Sequence, residues 1–473
     1  MEDRLDLVIR GGTVVTADGQ VATDIGIRHG AIAQLGALPP ARREIDATGK
    51  LVLPGGIDAH VHLSRSGPPD REPAWCDDFY SGTRAAAAGG ITTVGNMTFP
   101  WPGQSLRAAI ERDTEDAAAN AVVDVMLHPV LTDPATQPLT DLGWLAAEGH
   151  SSLKFFTSID GFRTSPADYL DAMRVAAANG MLTLVHCEDA AILDSSLHHL
   201  VATGRTSVAH YPEARPVAAE VAATARVVHF AEVAAAPIYI VHLSAEAALA
   251  EVRRGRERGI PIYVETRPLY LYLTAERFRE PDGAKYVGQP PLRAASDRAA
   301  LWHGLATGQI QTVCSDHAPW RFADKVWPGV DVTTVRPGVA DLETLMPMLF
   351  AEGVGSGRLT LEQFVAVTAT NAAKLFGLYP QKGTIAVGTD ADLAIWDPVL
   401  TKPIEARTFV TNADYSPYEG WPVTGWPVMT LSRGEIVFDQ GSVTTARGRG
   451  RLPRRGPTMP LSPVSTSPPG DAS

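Results

Sequence analysis

Cysteine is scarce in this chain. Three thiols (Cys76, Cys187, Cys314) in 473 residues are too few, and odd in number, for a disulfide framework, which fits a reducing cytoplasm. Long apolar runs are missing too. No stretch reaches the roughly 18 residues of a membrane-spanning helix, and Met1-Glu-Asp-Arg-Leu-Asp-Leu carries acids where a signal peptide needs a basic region, so no membrane partner is expected. Basic charge is outweighed: 53 Asp and Glu against 41 Lys and Arg leave a net charge of −12, which argues against a phosphate-tracking surface and hence against nucleic acid. What remains is ordinary globular material. Hydrophobic residues at 45% and charged residues at 20% exclude collagen-like, coiled-coil and wholly disordered chains, and the length allows about three domains or one large barrel with a smaller satellite.

The two ends of the chain share a style. Residues 5–36 alternate apolar stretches with Gly and polar breaks, and Gly383-Thr-Ile-Ala-Val-Gly, Ala391-Asp-Leu-Ala-Ile-Trp and Val428-Met-Thr-Leu-Ser-Arg-Gly-Glu-Ile-Val-Phe again have the lengths of short antiparallel strands. One β-sandwich domain built from 1–53 and 378–445 is expected. Between them, eight continuous apolar runs (51–62, 90–97, 122–131, 151–157, 181–187, 237–243, 260–266 and 310–316) alternate with Ala-rich segments of helical length, the pattern of βα units around a buried parallel sheet. Ser165-Pro-Ala-Asp168 and Ser244 supply helix starts. The expected fold is therefore α/β, a (β/α)8 TIM barrel over 54–377, with its chemistry at the C-terminal ends of the strands. Residues 446–473 are Arg-, Pro- and Ser-rich with almost nothing apolar, and read as a disordered, solvated tail; its charge of about +4 could alternatively lie on an acidic surface of this chain or of a neighbouring subunit.

The first run ends in Pro54-Gly-Gly-Ile-Asp58-Ala-His60-Val-His62. Residues i and i+2 of a strand share a face, so both imidazoles can reach one metal, although a lone His-x-His fits two partly buried histidines equally well. Other strand ends decide between these readings: Lys154 in Ser152-Leu-Lys-Phe-Phe, His186 in Leu184-Val-His-Cys-Glu, His242 in Ile240-Val-His-Leu-Ser and Asp316 in Cys314-Ser-Asp-His-Ala-Pro. Five of eight strands thus end in a ligand-type residue, which independent structural roles do not explain. The remaining histidines, His317 among them, are read as structural or surface residues. Lys154 is the odd member, because an ammonium has no lone pair for a metal and a buried cation beside metal ions is disfavoured. Reaction with carbon dioxide would turn it into a carbamate whose two oxygens can bridge two divalent cations, leaving a net charge of about +1 that attracts an amide oxygen once Asp316 and a bridging hydroxide are counted.

The order His-x-His, Lys, His, His, Asp resembles the amidohydrolase superfamily, and within it the cyclic amidases: dihydropyrimidinase, hydantoinase, allantoinase and dihydroorotase. The resemblance covers about residues 5–440 and extends to Ser81-Gly-Thr-Arg-Ala-Ala-Ala-Ala-Gly-Gly-Ile-Thr-Thr-Val, Glu265-Thr-Arg-Pro-Leu-Tyr-Leu, Pro290-Pro-Leu-Arg293, Asn371-Ala-Ala-Lys-Leu-Phe-Gly-Leu-Tyr-Pro and Lys382-Gly-Thr-Ile-Ala-Val-Gly-Thr-Asp-Ala-Asp-Leu. It implies the barrel and split sandwich, two zinc ions held by His60, His62, Lys154 as carbamate, His186, His242 and Asp316, and a homo-oligomer, dimer or tetramer. The reaction implied is hydrolysis of a ring C–N bond in a cyclic amide, imide or ureide, with Asp316 as general base to a bridging hydroxide and then acid to the leaving nitrogen. Allantoinase, or a non-catalytic scaffold related to dihydropyrimidinase, is the alternative.

Departures from the family bear on substrate. Hydantoinases and dihydropyrimidinases usually carry a tyrosine five residues after the bridging lysine, where its hydroxyl helps hold the substrate carbonyl; here that position is Ile159, so either the metal alone holds the oxyanion or another donor, such as Thr157 or Ser158, takes part. Ser64 replaces residues that distinguish dihydroorotases and allantoinases, and Gln289 stands where hydantoinases usually have a serine that binds the ring through its backbone. Trp75, Phe99, Trp101 and Trp320 lie in loops that should border the pocket, and either accommodate an apolar or aryl substituent or pack the loops.

Overall fold

The computed structural model describes residues 4–68 and 74–461. All eight apolar runs form parallel strands: β1 (Gly56–Val61), β2 (Ile91–Thr98), β3 (Asp124–Pro129), β4 (Ser152–Phe156), β5 (Leu182–His186), β6 (Ile238–Ile240), β7 (Ile262–Thr266) and β8 (Thr312–Val313). Pairing runs β1-β2-β3 and β4-β5-β6-β7-β8; isolated parallel bridges at Val130–Lys154 and Val61–His317 join the two sheets, so pairing returns to its starting strand. Helices follow the strands on their outer side. Phe79–Ala88 starts at a capping box in which the Asp78 carboxylate accepts from the Tyr80 and Ser81 amides; Leu106–Asn120 is capped by Ser105 and Ala190–Ala202 by Asp189. The two caps expected elsewhere fail. Ser165 precedes its helix with no side-chain cap bond, while Ser244 gives its hydroxyl to Glu220 at 2.5 Å and leaves the helix to begin at Glu246.

Side chains of the parallel strands sort into two layers. Leu153, Phe155, Val185, Ile238, Ile240, Ile262 and Val264 pack outward against the helices, while Ile57, Ala59, Met97, Met126, Leu182, Leu184, Tyr239, Tyr263 and Cys314 fill the interior. Each large apolar side chain so buried contributes on the order of 1.5–3 kcal/mol. Because the interior layer lies beneath the strand ends that carry His186 and Asp316, it forms the floor of the site.

The first apolar run is divided between two structures. Leu51–Pro54 pairs antiparallel with Leu393–Pro403 and parallel with Thr13–Thr16 in a seven-stranded sheet whose strands come from both ends of the chain. A four-stranded sheet (Ala31–Gly36, Asp24–Arg28, Leu7–Arg10, Arg43–Asp46) shares an apolar layer with it, made of Ile9, Val14, Ile25, Ile27, Val52, Leu393, Ile395 and Leu431.

Residues 446–461 are not a solvated tail. Gly450 donates to Ala121 O at 2.8 Å, the Arg451 amide donates to the Asp124 carboxylate while Arg451 O accepts from the Val125 amide, Gly456 donates to Gly377 O at 2.9 Å and Met459 to Lys374 O at 2.9 Å. Arg455 is 5% exposed, with Nη2 donating to Leu127 O at 2.9 Å, and Leu461 packs on the interior layer. Among the described residues, the segment's basic side chains meet an acidic partner only at Arg449, which pairs with Glu435; Arg454 and Arg455 donate to the Ala147 and Leu127 backbone oxygens, and Arg447 lies over the Tyr80 ring. Residues 462–473, the rest of the expected tail, lie outside the described residues. No helix among the described residues is long and apolar enough to cross a membrane.

Candidate metal centre

The six residues singled out from the strand ends converge. His60 Nε2 and His62 Nε2 lie 3.3 and 3.0 Å from the same oxygen, Asp316 Oδ1. The His186 and His242 rings meet through Nδ1 and Nε2 at 3.0 Å, and the His242 and His60 ring centroids are 5.4 Å apart. Lys154 is fully buried, its Nζ has no hydrogen-bond partner among the described residues, and it sits 4.7 Å from the centroid of the Phe156 ring.

Local backbone irregularities make this convergence possible. A register shift between Asp58 and Val61 re-phases β1, so that Ile57 and Ala59 point inward and His60 and His62 do so as well, with Val61 outward. Since Tyr239 and Val241 face the interior, a regular strand would turn His242 away; the residue takes φ 38° instead and its ring joins the cluster. Asp316 also has positive φ, 50°. Each such non-glycine conformation costs of order 1–3 kcal/mol and persists only where its surroundings over-determine it. Two of the six candidate ligands carry this strain.

Two carboxylates and two guanidiniums support four of the six. Glu265 accepts from His60 Nδ1 at 2.9 Å and from the His242 amide at 3.0 Å, and Tyr239 donates to its other oxygen. Glu188 contacts His186 Nε2 at 2.8 Å and is ion-paired with Arg215. A carboxylate on one ring nitrogen fixes the tautomer and leaves the opposite nitrogen's lone pair for a metal. Arg267 donates to Asp316 Oδ2 at 2.5 Å. These partners went unread in the sequence, yet spacing marks them: Glu188 stands two residues after His186, and Glu265 and Arg267 alternate at the end of β7 as His60 and His62 do at the end of β1.

Burial sets the protonation states. It lowers His62 to about 4 and holds His186 and His242 below the usual imidazole range, which keeps these rings neutral. It also lowers Lys154 to about 8, against the opposing pull of Glu265 and Asp316. For Asp316 burial acts upward, but the Arg267 guanidinium and the neighbouring imidazoles outweigh it and hold the carboxyl well below its ordinary range. Neutral imidazoles, an ionised carboxylate and an unpartnered buried amine form a donor set that fits divalent metal ions, and His60, His62 and Asp316 alone bring three donor atoms within 4.8 Å of one another. Among the described residues the other acidic group, Asp124 with Asp390 and Asp392, already surrounds the Lys382 ammonium.

The expected substrate contacts fare unevenly. Thr157 is not free to hold a carbonyl, because its hydroxyl sits on the His186 and Glu188 backbone oxygens at 2.9 and 2.8 Å. Ser64 is buried and its oxygen accepts from Asn96 at 2.9 Å. Trp320 donates to Pro337 O at 2.8 Å and packs within its own loop, and Trp101 donates to Arg65 O. Ser158 and Gln289 remain half-buried, Gln289 reaching Tyr211 Oη at 3.4 Å. Ile159 packs against the main core. Trp75, Phe99 and Phe156 wall the cluster: Trp75 lies 4.9 Å from the His62 ring, Phe99 5.9 Å from Phe156, and Phe156 5.2 Å from His186. His317, expected to be structural, is buried and held between Asp77 at 2.9 Å and the Asp341 amide at 3.1 Å.

Comparison with known proteins agrees with this geometry. The amidohydrolase family profile matches residues 51–437. A D-hydantoinase of Ralstonia pickettii is 39% identical over 456 residues, 95% of this chain and 99% of its own length. A D-phenylhydantoinase of Escherichia coli O9:H4 (strain HS) is 39% identical over 462 residues, 96% of this chain and 99% of its own. The crystal structure of a dihydropyrimidinase from Brevibacillus agri NCHU1002 superposes with a TM-score of 0.90 at 36% identity, over 96% of this chain and 99% of that one. The chain belongs to the amidohydrolase family, in the cyclic amidase group of the hydantoinases and dihydropyrimidinases.

Proposed function

We propose that the protein is a metal-dependent cyclic amidohydrolase that opens a C–N bond in a hydantoin, dihydropyrimidine or related cyclic imide or ureide, on a (β/α)8 barrel carrying a small β-sandwich made by both chain ends. The observation that carries this reading is the buried, unpartnered Lys154 amine placed among four imidazoles and a carboxylate. Left as an ammonium it would be an uncompensated buried charge. As a carbamate, formed when its nitrogen lone pair attacks the carbon of carbon dioxide and one proton leaves, it becomes the anionic member of the donor set. His60, His62, carbamylated Lys154, His186, His242 and Asp316 would together hold two divalent ions, zinc in the first instance. Bound there, such ions supply a polarised carbonyl and a water acidic enough to ionise near neutrality.

The chain's own groups do the rest. Asp316 accepts the proton of the attacking water and returns it to the ring nitrogen as the C–N bond breaks, since an amide anion is a poor leaving group. Ser158 and the Gln289 backbone are the substrate contacts, and the wall of Trp75, Phe99 and Phe156 excludes water and receives an apolar substituent on the ring. With no tyrosine at position 159, activated rings such as hydantoins and imides are favoured over dihydroorotate and allantoin. The complete donor set argues against a scaffold without catalysis. Three unpaired cysteines suit a cytoplasmic location, and the family resemblance suggests a homo-oligomer, dimer or tetramer.

The test is an activity panel with zinc-reconstituted protein over hydantoin, 5-aryl hydantoin, dihydrouracil, allantoin, dihydroorotate and simple imides. Opening of hydantoins ahead of allantoin and dihydroorotate supports the assignment. A preference for either of the latter overturns the substrate ranking, and no zinc-dependent opening of any ring sinks the function.

A further inference from the structure

Arg267 is a fully buried guanidinium at the end of β7, and among the described residues a single side chain accepts a hydrogen bond from it. Nη1 donates to Asp316 Oδ2 at 2.5 Å; Nη2 lies 4.0 Å from Asp341 Oδ2; Nε and Nη2 have no hydrogen-bond partner among the described residues. Desolvation works against a buried cation, and here the pull of Asp316 outweighs it, joined by Asp341 and by the Tyr270 ring, whose centroid is 5.7 Å from Cζ. The backbone makes room for it: a Cβ at Gly288, next to Gln289, would come within 3.1 Å of Nη1.

The two oxygens of Asp316 are thereby divided. Oδ1 faces His60 Nε2 and His62 Nε2 at 3.3 and 3.0 Å, and Oδ2 is held on the opposite side by Arg267. We propose that Arg267 is a positioning residue that presents Asp316 to the metal through Oδ1 alone, and so sets both the coordination number at that ion and the orientation of the carboxylate that moves the proton. This rests on the reading of Asp316 as a metal ligand given above. A guanidinium suits the task, because it keeps its charge when buried and its rigid plane aims Nη1 at Oδ2 from a fixed direction, whereas a lysine ammonium is a point charge on a flexible stem. Without it, Oδ2 is free to swing in beside Oδ1 as a second ligand.

Arg267→Met and Arg267→Lys variants, loaded with cobalt(II) in place of zinc, test this directly. The visible d–d bands of cobalt weaken as coordination number rises, so the Met variant is expected to give weaker bands than the wild type at the same metal content. Its kcat on hydantoin should fall about 10–100-fold with KM little changed, the usual cost of losing a ligand's outer partner, and the Lys variant should lie between. A folded Met variant with the wild-type cobalt spectrum and kcat overturns the proposal. Should the Met variant fail to fold, the Lys variant decides, and a spectrum identical to the wild type counts against it. If wild-type protein opens no ring at all, the functional reading fails, while the cobalt spectra still decide whether Arg267 orients Asp316.

Discussion

The reactivity of Lys154 towards carbon dioxide follows from its burial and can be measured on its own. Only the neutral amine attacks carbon dioxide. An ordinary lysine at 10.5 is neutral in about 0.03% of molecules at pH 7, whereas one lowered to about 8 is neutral in about 9%, a gain of roughly 300-fold that comes from desolvation. Protein stripped of metal and carbon dioxide should therefore carbamylate within the physiological range. The assay follows the growth of a ¹³C carbamate signal from labelled carbon dioxide, at fixed dissolved gas, from pH 6 to 10. The rate should climb about tenfold per pH unit below 8, bend there, and rise only about twofold beyond. A rate still climbing tenfold per unit above pH 9 would show an amine with ordinary basicity and refute the argument that burial prepares this residue.

Three further outcomes are expected. Asp316→Asn should retain the fold and most of its metal by elemental analysis but lose ring-opening turnover by at least the 10²–10⁴-fold typical of proton-transfer groups; an undiminished kcat contradicts its role. Phe99→Ala should raise KM for 5-aryl hydantoins about 2- to 10-fold over that for unsubstituted hydantoin, the equivalent of one aromatic contact, and equal effects on both would place the substituent elsewhere. For Glu188, burial acts upward but Arg215 and His186 outweigh it and lower the carboxyl from 4.5 to about 2, so its ionised form stabilises the fold above pH 4.5 and that contribution, about 3 kcal/mol, is lost as pH falls towards 2. Denaturant titrations of metal-free Glu188→Gln should show a flatter stability profile between pH 5 and 3, and a slope matching the wild type counts against this account.

The strands and the candidate metal ligands were legible in the sequence for different reasons. Strands buried on both faces read as continuous apolar runs, and all eight emerged, although nothing in Leu51–Val61 signals that Leu51–Pro54 belongs to another sheet. The ligands were legible as residue types at strand ends, not as strand phase, since parity alone would have turned His242 out of the site that its positive φ brings it into. Side chains that could equally serve themselves or a substrate were not legible. Thr157, Ser64 and Trp320 each spend their polar atom on a neighbour within the protein, which no local pattern announces. The docking of 446–461 was hidden because its contacts are largely made by backbone groups of Gly450, Arg451, Gly456 and Met459, which leave no trace in side-chain pattern.

That segment imposes an order in time. It follows every strand among the described residues, yet it hydrogen-bonds to Ala121, Val125 and Gly377 and lays Leu461 against the interior layer beneath the candidate ligands. During synthesis the ring of strands, both sheets and the Leu375, Phe376 and Leu378 side chains that cover the interior layer can therefore assemble first, and the docking of Leu461 comes last. A nascent chain halted around residue 445 would hold every candidate ligand and every strand of the ring, and would lack the Leu461 contact beneath them.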